Sequence, residues 1–298
     1  MRYVIVGCGA IGLELAKQWS RAGHHVVGTT SSPARLPQVA GACAEAIVVP
    51  TDDASALRAA VADADAVVLA ARPRVRFASS RRDRAAEFRR TLLLVTRSVA
   101  LAQPRLLLLS SFVVYGDGRP GNDGRPGGDG TPGSDGRPGG DKRGDGPIDE
   151  RVPASIALEP AAQSFSAAER IVLESGRGVV LRLPEVTGHP DDLDDAALIR
   201  FTHEHLDGKV PFAADALYYR IDYRDAAAAA SFAIERDLVG VYNAVPDAVV
   251  PPTVDVVFGK LVAELGLPPV TFTGEVRTTT RPISSARLRA AGFSFRYD

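Results

Sequence analysis

Cysteine is scarce. The 298 residues hold two, Cys8 and Cys43, too few for a disulfide framework, and Cys8 sits in an apolar strand-turn that reads as core. Such usage fits a reducing compartment. Long apolar runs are also missing: the strongest, LLLLSSFVVY from Leu106 to Tyr115, is broken by serines and falls short of the roughly 20 residues that span a bilayer. Nor is a secretion signal legible, because MRYVIVGCGAIG lacks a small-residue cleavage site and runs straight into a glycine motif. The N-terminus is therefore expected to belong to the fold, and the protein to be cytoplasmic. An excess of one charge is absent too. Lys and Arg number 35 against 36 Asp and Glu, a net charge of -1, which leaves no electrostatic footprint for nucleic acid or an anionic membrane. Small molecules are the expected partners.

Glycine and proline, by contrast, are concentrated in one place. Gly118 to Asp141 reads GRPGNDGRPGGDGTPGSDGRPGGD, eight Gly-X-Y triplets whose third residue alternates between proline and aspartate. A collagen triple helix needs three chains and glycine at every third position, and the glycine period is met here, but the array is short for cooperative stability. The short array is flanked by globular patterns and mixes Arg with Asp, so it reads as a solvated, polyproline-like or disordered loop over 116–147. Arg143-Gly144-Asp145 belongs to the same tract.

Around that loop, hydrophobic residues reach 45% and charged residues 24%, as in ordinary globular chains. Tyr3–Val6, His25–Gly28, Ala46–Val49, Ala66–Leu69 and Arg105–Leu109 read as buried strands. They alternate with helical patterns: Ile11, Leu15, Trp19 and Ala22 share one face, and an Arg-rich helix spans about Arg81 to Ala102. This alternation predicts an α/β fold, a Rossmann-type doubly wound parallel sheet. Further on come a helix at Ala161–Ser175, strand Val179–Leu183, a helix near Asp194–Leu206, strand Leu217–Ile221, helix Asp225–Ile234, strand Gly240–Asn243, helix Val254–Leu265 and a tail helix near Ser284–Ala290. The expected division is a dinucleotide-binding domain over 1–183 and a small C-terminal substrate-binding cap, with returning sheet elements, over 184–298.

VIVGCGAIG spaces Gly7, Gly9 and Gly12 as GxGxxG immediately after a strand and at the opening of a helix. The first glycine permits the tight turn, the second lets a pyrophosphate approach the backbone, and the third lets helix and strand pack closely. Ala10 and Ile11 lie at the helix opening, whose N–H groups and dipole favour an anion. Ala70 and Ala71, after the fourth strand, complete the expected cradle. The second strand ends GTTSSPAR, where a carboxylate would receive the adenosine ribose of NAD. Thr29, Thr30, Ser31, Ser32 and Arg35 instead offer hydroxyls and a cation, which favours NADP, with NAD possible; the same residues also suit a turn and a helix cap.

With the glycine turn placed, the chain resembles the extended short-chain dehydrogenase/reductase family, the class of nucleotide-sugar epimerases and dehydratases. LLLLSSFVVYG looks like its fifth strand and serine motif, LRLPEVTG like the sixth strand, YRIDYRDAAAA like the segment closing the substrate pocket, and VYNAVPDAVV and RPISSARLRAAGF like its last strand and tail. GxGxxG, in place of the more usual GxxGxxG, points to the atypical branch. The resemblance implies that Ser111, or the adjacent Ser110, holds a substrate oxygen. It also implies a Tyr-x-x-x-Lys pair on the next helix, but the matching positions are Ala161 and Phe165, and none of Lys17, Lys142, Lys209 and Lys260 follows a tyrosine by four residues. Tyr115, four residues after Ser111, is the candidate acid, with packing or ordering a turn the favoured role. Ser164 and Ser166 flank the missing lysine position.

Among other polar groups, Arg182 meets a substrate anion, pairs with a carboxylate or reaches solvent, and His189, in a loop, titrates near the expected pocket or is a surface histidine. His203 and His205 point apart on a helix, and Asp191, Asp192, Asp194 and Asp195 read as a solvated turn, so no metal site is expected. Asp225 is expected to cap the following helix. The resemblance implies an NAD(P)-dependent oxidoreductase or epimerase/dehydratase-like enzyme acting on a small hydroxyl or carbonyl compound, with a homodimer possible. A non-catalytic dinucleotide-binding sensor and a hydroxyacid dehydrogenase stand as alternatives; an all-helical second domain would favour the last.

Overall fold

The structure, a computed structural model, describes all residues except 74–80, 104, 117–145, 155–159, 191–193, 277 and 298. The Gly118–Asp141 tract, Arg143-Gly144-Asp145, Asp191 and Asp192 thus lie outside the described residues.

The chain begins β1 (Arg2–Val6), α1 (Ala10–Arg21), β2 (His25–Thr30), α2 (Leu36–Ala40), β3 (Glu45–Val48), α3 (Ala54–Val61) and β4 (Ala66–Leu69). It continues through α4 (Arg81–Phe88), a π-helical turn at Arg89–Leu94, α5 (Val95–Ala100), β5 (Leu106–Ser111), α6 (Pro160–Glu174) and β6 (Val179–Leu183). The remainder is β7 (Glu185–Thr187), α7 (Asp195–His205), β8 (Lys209–Phe212), β9 (Arg220–Asp222), α8 (Tyr223–Glu235), β10 (Gly240–Asn243), α9 (Val254–Leu265), β11 (Thr271–Val276) and α10 (Ala286–Ala290).

Seven strands form one parallel sheet in the order β10-β6-β5-β4-β1-β2-β3. The near-continuous Val, Ile and Leu runs of β1, β4, β5 and β6 follow from burial on both faces. The strand after β1 lies on one side of it and β4 on the other, which opens a crevice beyond the carboxyl ends where the order reverses. On one face, α1 presents Ile11, Leu15 and Trp19 to α8, whose Ala226, Ala227, Ala229, Ala230 and Ala233 let the two helices approach; the Trp19 indole N–H donates to Ser231 Oγ at 2.9 Å. The other face packs Leu57, Leu92, Val95, Val99, Phe165 and Val172 from the helices against Val4, Val67, Leu106 and Leu108.

A third, smaller cluster lies away from this sheet: Ile199, Val210, Val254, Phe258 and Val262 pack α7 and α9 with β8 and β11. Short parallel pairs β7-β9 and β8-β11 belong to this C-terminal half. The sequence expectation missed β7, β8 and β11, and Leu217, expected to begin a strand, makes only an isolated bridge to Thr253. The single Arg-rich helix is α4, the π turn and α5 in succession. Strands among the C-terminal elements also remove the all-helical second domain that a hydroxyacid dehydrogenase would require. No helix among the described residues is long and apolar enough to cross a membrane.

Candidate dinucleotide site

Each of the three motif glycines meets a different physical demand. Gly7 has φ +91, and a Cβ there would lie 2.5 Å from Ala71 Cα, so the turn after β1 closes against the chain leaving β4 only without a side chain. Gly12 packs α1 onto β1, where a Cβ would come within 3.1 Å of both Gly7 O and Ile5 Cγ2. Around Gly9 a Cβ would meet nothing within 4 Å. That open space sits at the N-cap of α1, which no side chain caps, so the first N–H groups of the helix, at Ala10 and Ile11, border it. A pyrophosphate is the group this opening suits: uncapped donors, a positive dipole end and no side chain in the way.

Two hydrogen bonds hold the turn to β2. Gly7 N donates to Thr29 Oγ1 at 3.2 Å and Cys8 N to Thr29 O at 2.8 Å. Thr29, one of the hydroxyls that the sequence sets at the cofactor end of the strand, is thus buried and spent on the glycine turn. At the end of β2, the Thr30 hydroxyl is engaged by its own turn, accepting from Ser32 N at 3.2 Å, and the side chain is buried. Ser31 is exposed and Ser32 half-buried. Arg35 donates through Nε and Nη2 to Gln38 at 3.2 and 3.1 Å, leaving its charge without a carboxylate partner in that contact. Of this expected cluster, Ser31, Ser32 and Arg35 are reachable, whereas Thr29 and Thr30 shape the two turns. Ala70 N donates to Val6 O at 2.9 Å, and Ala71 backs Gly7, so both build the cradle wall.

The two serines of β5 part company. Ser110 points into the sheet's α6 face, buried, and donates to Glu169 Oε1 at 2.5 Å. Glu169 is held in turn by Arg182, whose Nη2 lies 2.7 Å from Oε2, so the side chain expected either to meet an anion or to pair with a carboxylate does the latter. Ser111, half-buried at the carboxyl end of β5, accepts from Val113 N at 3.3 Å, starting the short turn Phe112–Tyr115. It is therefore the accessible hydroxyl of the pair.

Tyr115 is 2% exposed. Its hydroxyl donates to Asn243 Oδ1 at 2.7 Å, and the Arg182 guanidinium lies 4.7 Å from the ring centroid. Burial raises the phenol pKa, partly offset by Arg182, so the group stays protonated. The structure places this candidate acid in the core, tying β5 to β10, rather than in the crevice. Ala161 and Phe165 are buried on α6, Phe165 edge-on to Phe88 with centroids 6.0 Å apart; neither carries a transferable proton. Ser164 is half-buried, and the Ser166 hydroxyl donates to Ala162 O at 2.7 Å.

Two expectations about the C-terminal half are adjusted. Asp222, not Asp225, caps α8, accepting from Arg224 N at 2.8 Å; Asp225, one turn inside, is fully buried and receives Arg296 N at 3.0 Å and Tyr297 N at 2.8 Å, anchoring the tail. Asp194 caps α7, while Asp195 accepts from Tyr218 and Arg220, so these two carboxylates have structural partners. His189 lies edge-on to Tyr223, centroids 5.1 Å apart. Among the described residues, no three His, Cys, Asp or Glu side chains gather as a metal site.

Comparison with known proteins agrees with this geometry. Residues 7–127 match a family model described as NAD(P)H-binding. No curated protein matches the chain in sequence. Among solved structures, a UDP-glucose 4-epimerase from Thermus thermophilus in complex with NAD is 20% identical with a TM-score of 0.70, covering 100% of this chain and 95% of its own. A mutant UDP-glucuronic acid 4-epimerase from Bacillus cereus, solved with NAD and UDP-4-deoxy-4-fluoro-glucuronic acid, is 16% identical, TM-score 0.70, with the same coverage of 100% and 95%. A dTDP-glucose 4,6-dehydratase from Bacillus anthracis in complex with NAD is 14% identical, TM-score 0.67, covering 100% and 92%. The sheet, the glycine turn and the C-terminal elements of this chain are thus arranged in the fold shared with these two epimerases and this dehydratase.

Proposed function

We propose that the chain binds a nicotinamide dinucleotide along the carboxyl edge of its sheet, prefers NADP, and carries out oxidoreductase or epimerase/dehydratase-like chemistry on a small hydroxyl or carbonyl compound. The observation that carries this reading is the open space at Gly9, framed by Gly7 and Gly12 and facing an uncapped helix N-terminus. The NAD(P)H-binding family match over the same turn supports it. When bound, the nicotinamide would supply hydride transfer.

Within this reading, the backbone at Gly9, Ala10 and Ile11 holds the pyrophosphate, and Ala70 and Ala71 shape the wall opposite. Ser31, Ser32 and Arg35 receive a ribose 2′-phosphate, since GTTSSPAR offers no carboxylate to repel it. Ser111, the reachable hydroxyl at the end of β5, orients the substrate oxygen by hydrogen bonding. Tyr115, buried against Asn243 and Arg182, fixes the turn that presents Ser111. The proton that accompanies hydride exchange comes from substrate or water, because the positions matching the family's tyrosine and lysine are Ala161 and Phe165.

Titration with NADPH, NADH and both oxidised forms tests the cofactor reading. Tighter binding of the 2′-phosphorylated pair by about tenfold is expected, the effect of one good charged contact. Equal, weak binding of all four would overturn it. A substrate panel that includes nucleotide sugars, run against Ser111→Ala, tests the chemistry: the variant should bind the dinucleotide normally and lose turnover.

Ala161 and Phe165 favour a second reading, a dinucleotide sensor without turnover. Stereospecific loss of label from nicotinamide C4 with any substrate of the panel would exclude it.

A further inference from the structure

Gly28 lies in the middle of β2, a strand position that any residue's backbone can occupy. Its missing side chain makes room for sulfur. A Cβ at Gly28 would lie 2.5 Å from Cys43 Sγ and 2.8 Å from Cys8 Sγ, so both thiols fill the space that the missing side chain leaves beneath the strand. The Cys8 thiol donates to Ile5 O at 3.8 Å; the neighbouring Cys43 thiol, with burial, raises the Cys8 pKa, and the Cys8 thiol lowers that of Cys43. Cys8 is 2% exposed, whereas Cys43, at the end of the α2 segment, is half-buried and open to a small reagent.

The geometry points to Cys8 and Cys43 as a reversible oxidation site, a dithiol that closes to a disulfide and thereby distorts the pyrophosphate turn. Cys43 is the attacking thiolate, because it is the less buried of the two and the one whose pKa the neighbouring thiol lowers. With a peroxide as oxidant, Cys43 Sγ attacks one oxygen. An S–O bond forms, the O–O bond breaks, and hydroxide leaves as water, giving the Cys43 sulfenic acid. Cys8 Sγ then attacks that sulfur; the S–S bond forms, the S–O bond breaks, and the departing oxygen takes the Cys8 proton as a second water. Two thiols are oxidised by two electrons and one peroxide is reduced to two waters. A dithiol reductant reverses the reaction by exchange.

Closure has a mechanical consequence. A disulfide holds its sulfurs about 2.05 Å apart, well inside the separation of two unbonded thiols in van der Waals contact. Cys8 stands between Gly7 and Gly9, and Cys43 follows the helix that begins beyond Arg35, so the bond draws the pyrophosphate turn toward α2. Gly7 cannot yield, because its turn is already in close approach to Ala71. The loss of fit falls on the phosphate-binding backbone at Gly9.

The binding consequence rests on the dinucleotide reading above; the thiol chemistry does not. The full chain is treated with hydrogen peroxide, free thiols are counted before and after, and the Cys8–Cys43 peptide is sought by mass spectrometry. NADPH affinity is measured in both states. The expected result is loss of both thiols, an intramolecular cross-link, and NADPH binding about tenfold weaker that is restored by dithiothreitol. Cys43→Ser should bind NADPH like the reduced protein and show no response to peroxide. Free thiols that persist, a sulfinic acid at Cys43 in place of the cross-link, or a cross-link that leaves NADPH affinity unchanged would each overturn the proposal. If Cys43→Ser does not fold, peptide mapping of the unmodified sequence still decides it. Cross-linking in a protein that binds no dinucleotide in either state would uphold the oxidation site while removing the cofactor reading and, with it, the proposed control of binding.

Discussion

Tyr115 and Ser111 are four residues apart in sequence but serve different surroundings. Ser111 ends a strand at the crevice, whereas Tyr115 turns back under it to Asn243, a residue 128 positions away. No local pattern could identify that partner. The buried hydroxyl makes a definite prediction: Tyr115→Phe keeps the ring and its contact with Arg182 but leaves Asn243 Oδ1 without its donor, at a cost of about 1–3 kcal/mol. Urea unfolding should show that loss while NADPH affinity is kept and any Ser111-dependent turnover persists; unchanged stability with abolished turnover would make Tyr115 the proton donor instead. The neighbouring Ser110–Glu169–Arg182 chain was similarly invisible. Arg182 could be recognised as a charge at a strand end, yet only the packing of α6 on β6 shows that its carboxylate is Glu169. In the glycine turn, by contrast, residue type alone was informative, because Gly7 has a positive φ and any Cβ there would lie 2.5 Å from Ala71 Cα.

Among the elements, α8 illustrates how a cap and a tail anchor are confused in sequence. IDYRDAA offers two aspartates three residues apart, either of which suits an N-terminus. The strand β9 extends through Asp222, so the cap falls there, and Asp225 is carried into the first turn, where it receives the backbone of Arg296 and Tyr297. The Arg224 side chain, by hydrogen bonding, holds the Asp222 carboxyl below its usual pKa, with the Arg224 backbone N–H adding to the shift. A carboxylate with a depressed folded-state pKa stabilises the fold above its unfolded pKa, and that contribution is lost as pH falls through the depressed value. Asp222→Asn retains a good cap but removes the charge. Its melting temperature should therefore fall below that of the parent at neutral pH, and the difference should shrink on acidification through the carboxylate range. A constant gap down to the lowest accessible pH would show that the ion pair does not supply it. The strongly periodic elements, α1, β4, β6, β10 and α9, were legible because burial repeats at a fixed spacing. The three-residue β7, and β11 with its exposed residues, left no such periodic record.

On the scale of the whole molecule, the chain is a continuous sheet core on either side of a tract that contributes nothing apolar beyond proline. Gly118 to Asp141 contains no apolar side chain besides its prolines, so its removal subtracts none of the bulky aliphatic or aromatic residues that build a core. Deleting Gly118–Asp141 should leave the thermal midpoint and NADPH affinity close to those of the full chain; a collapse of either would assign the tract a structural or binding role. The sequence by itself determined the α/β class, the parallel sheet, the glycine turn and the missing Tyr-x-x-x-Lys spacing, since each depends on local periodicity, on backbone freedom or on residue identity. Only the tertiary structure decided which serine is reachable, where Tyr115 points, which carboxylate holds Arg182, and that Cys8 and Cys43 meet beneath Gly28. Those outcomes depend on which distant segments share a volume, and that is fixed when the helices close on the sheet, not by the order of residues along any one of them.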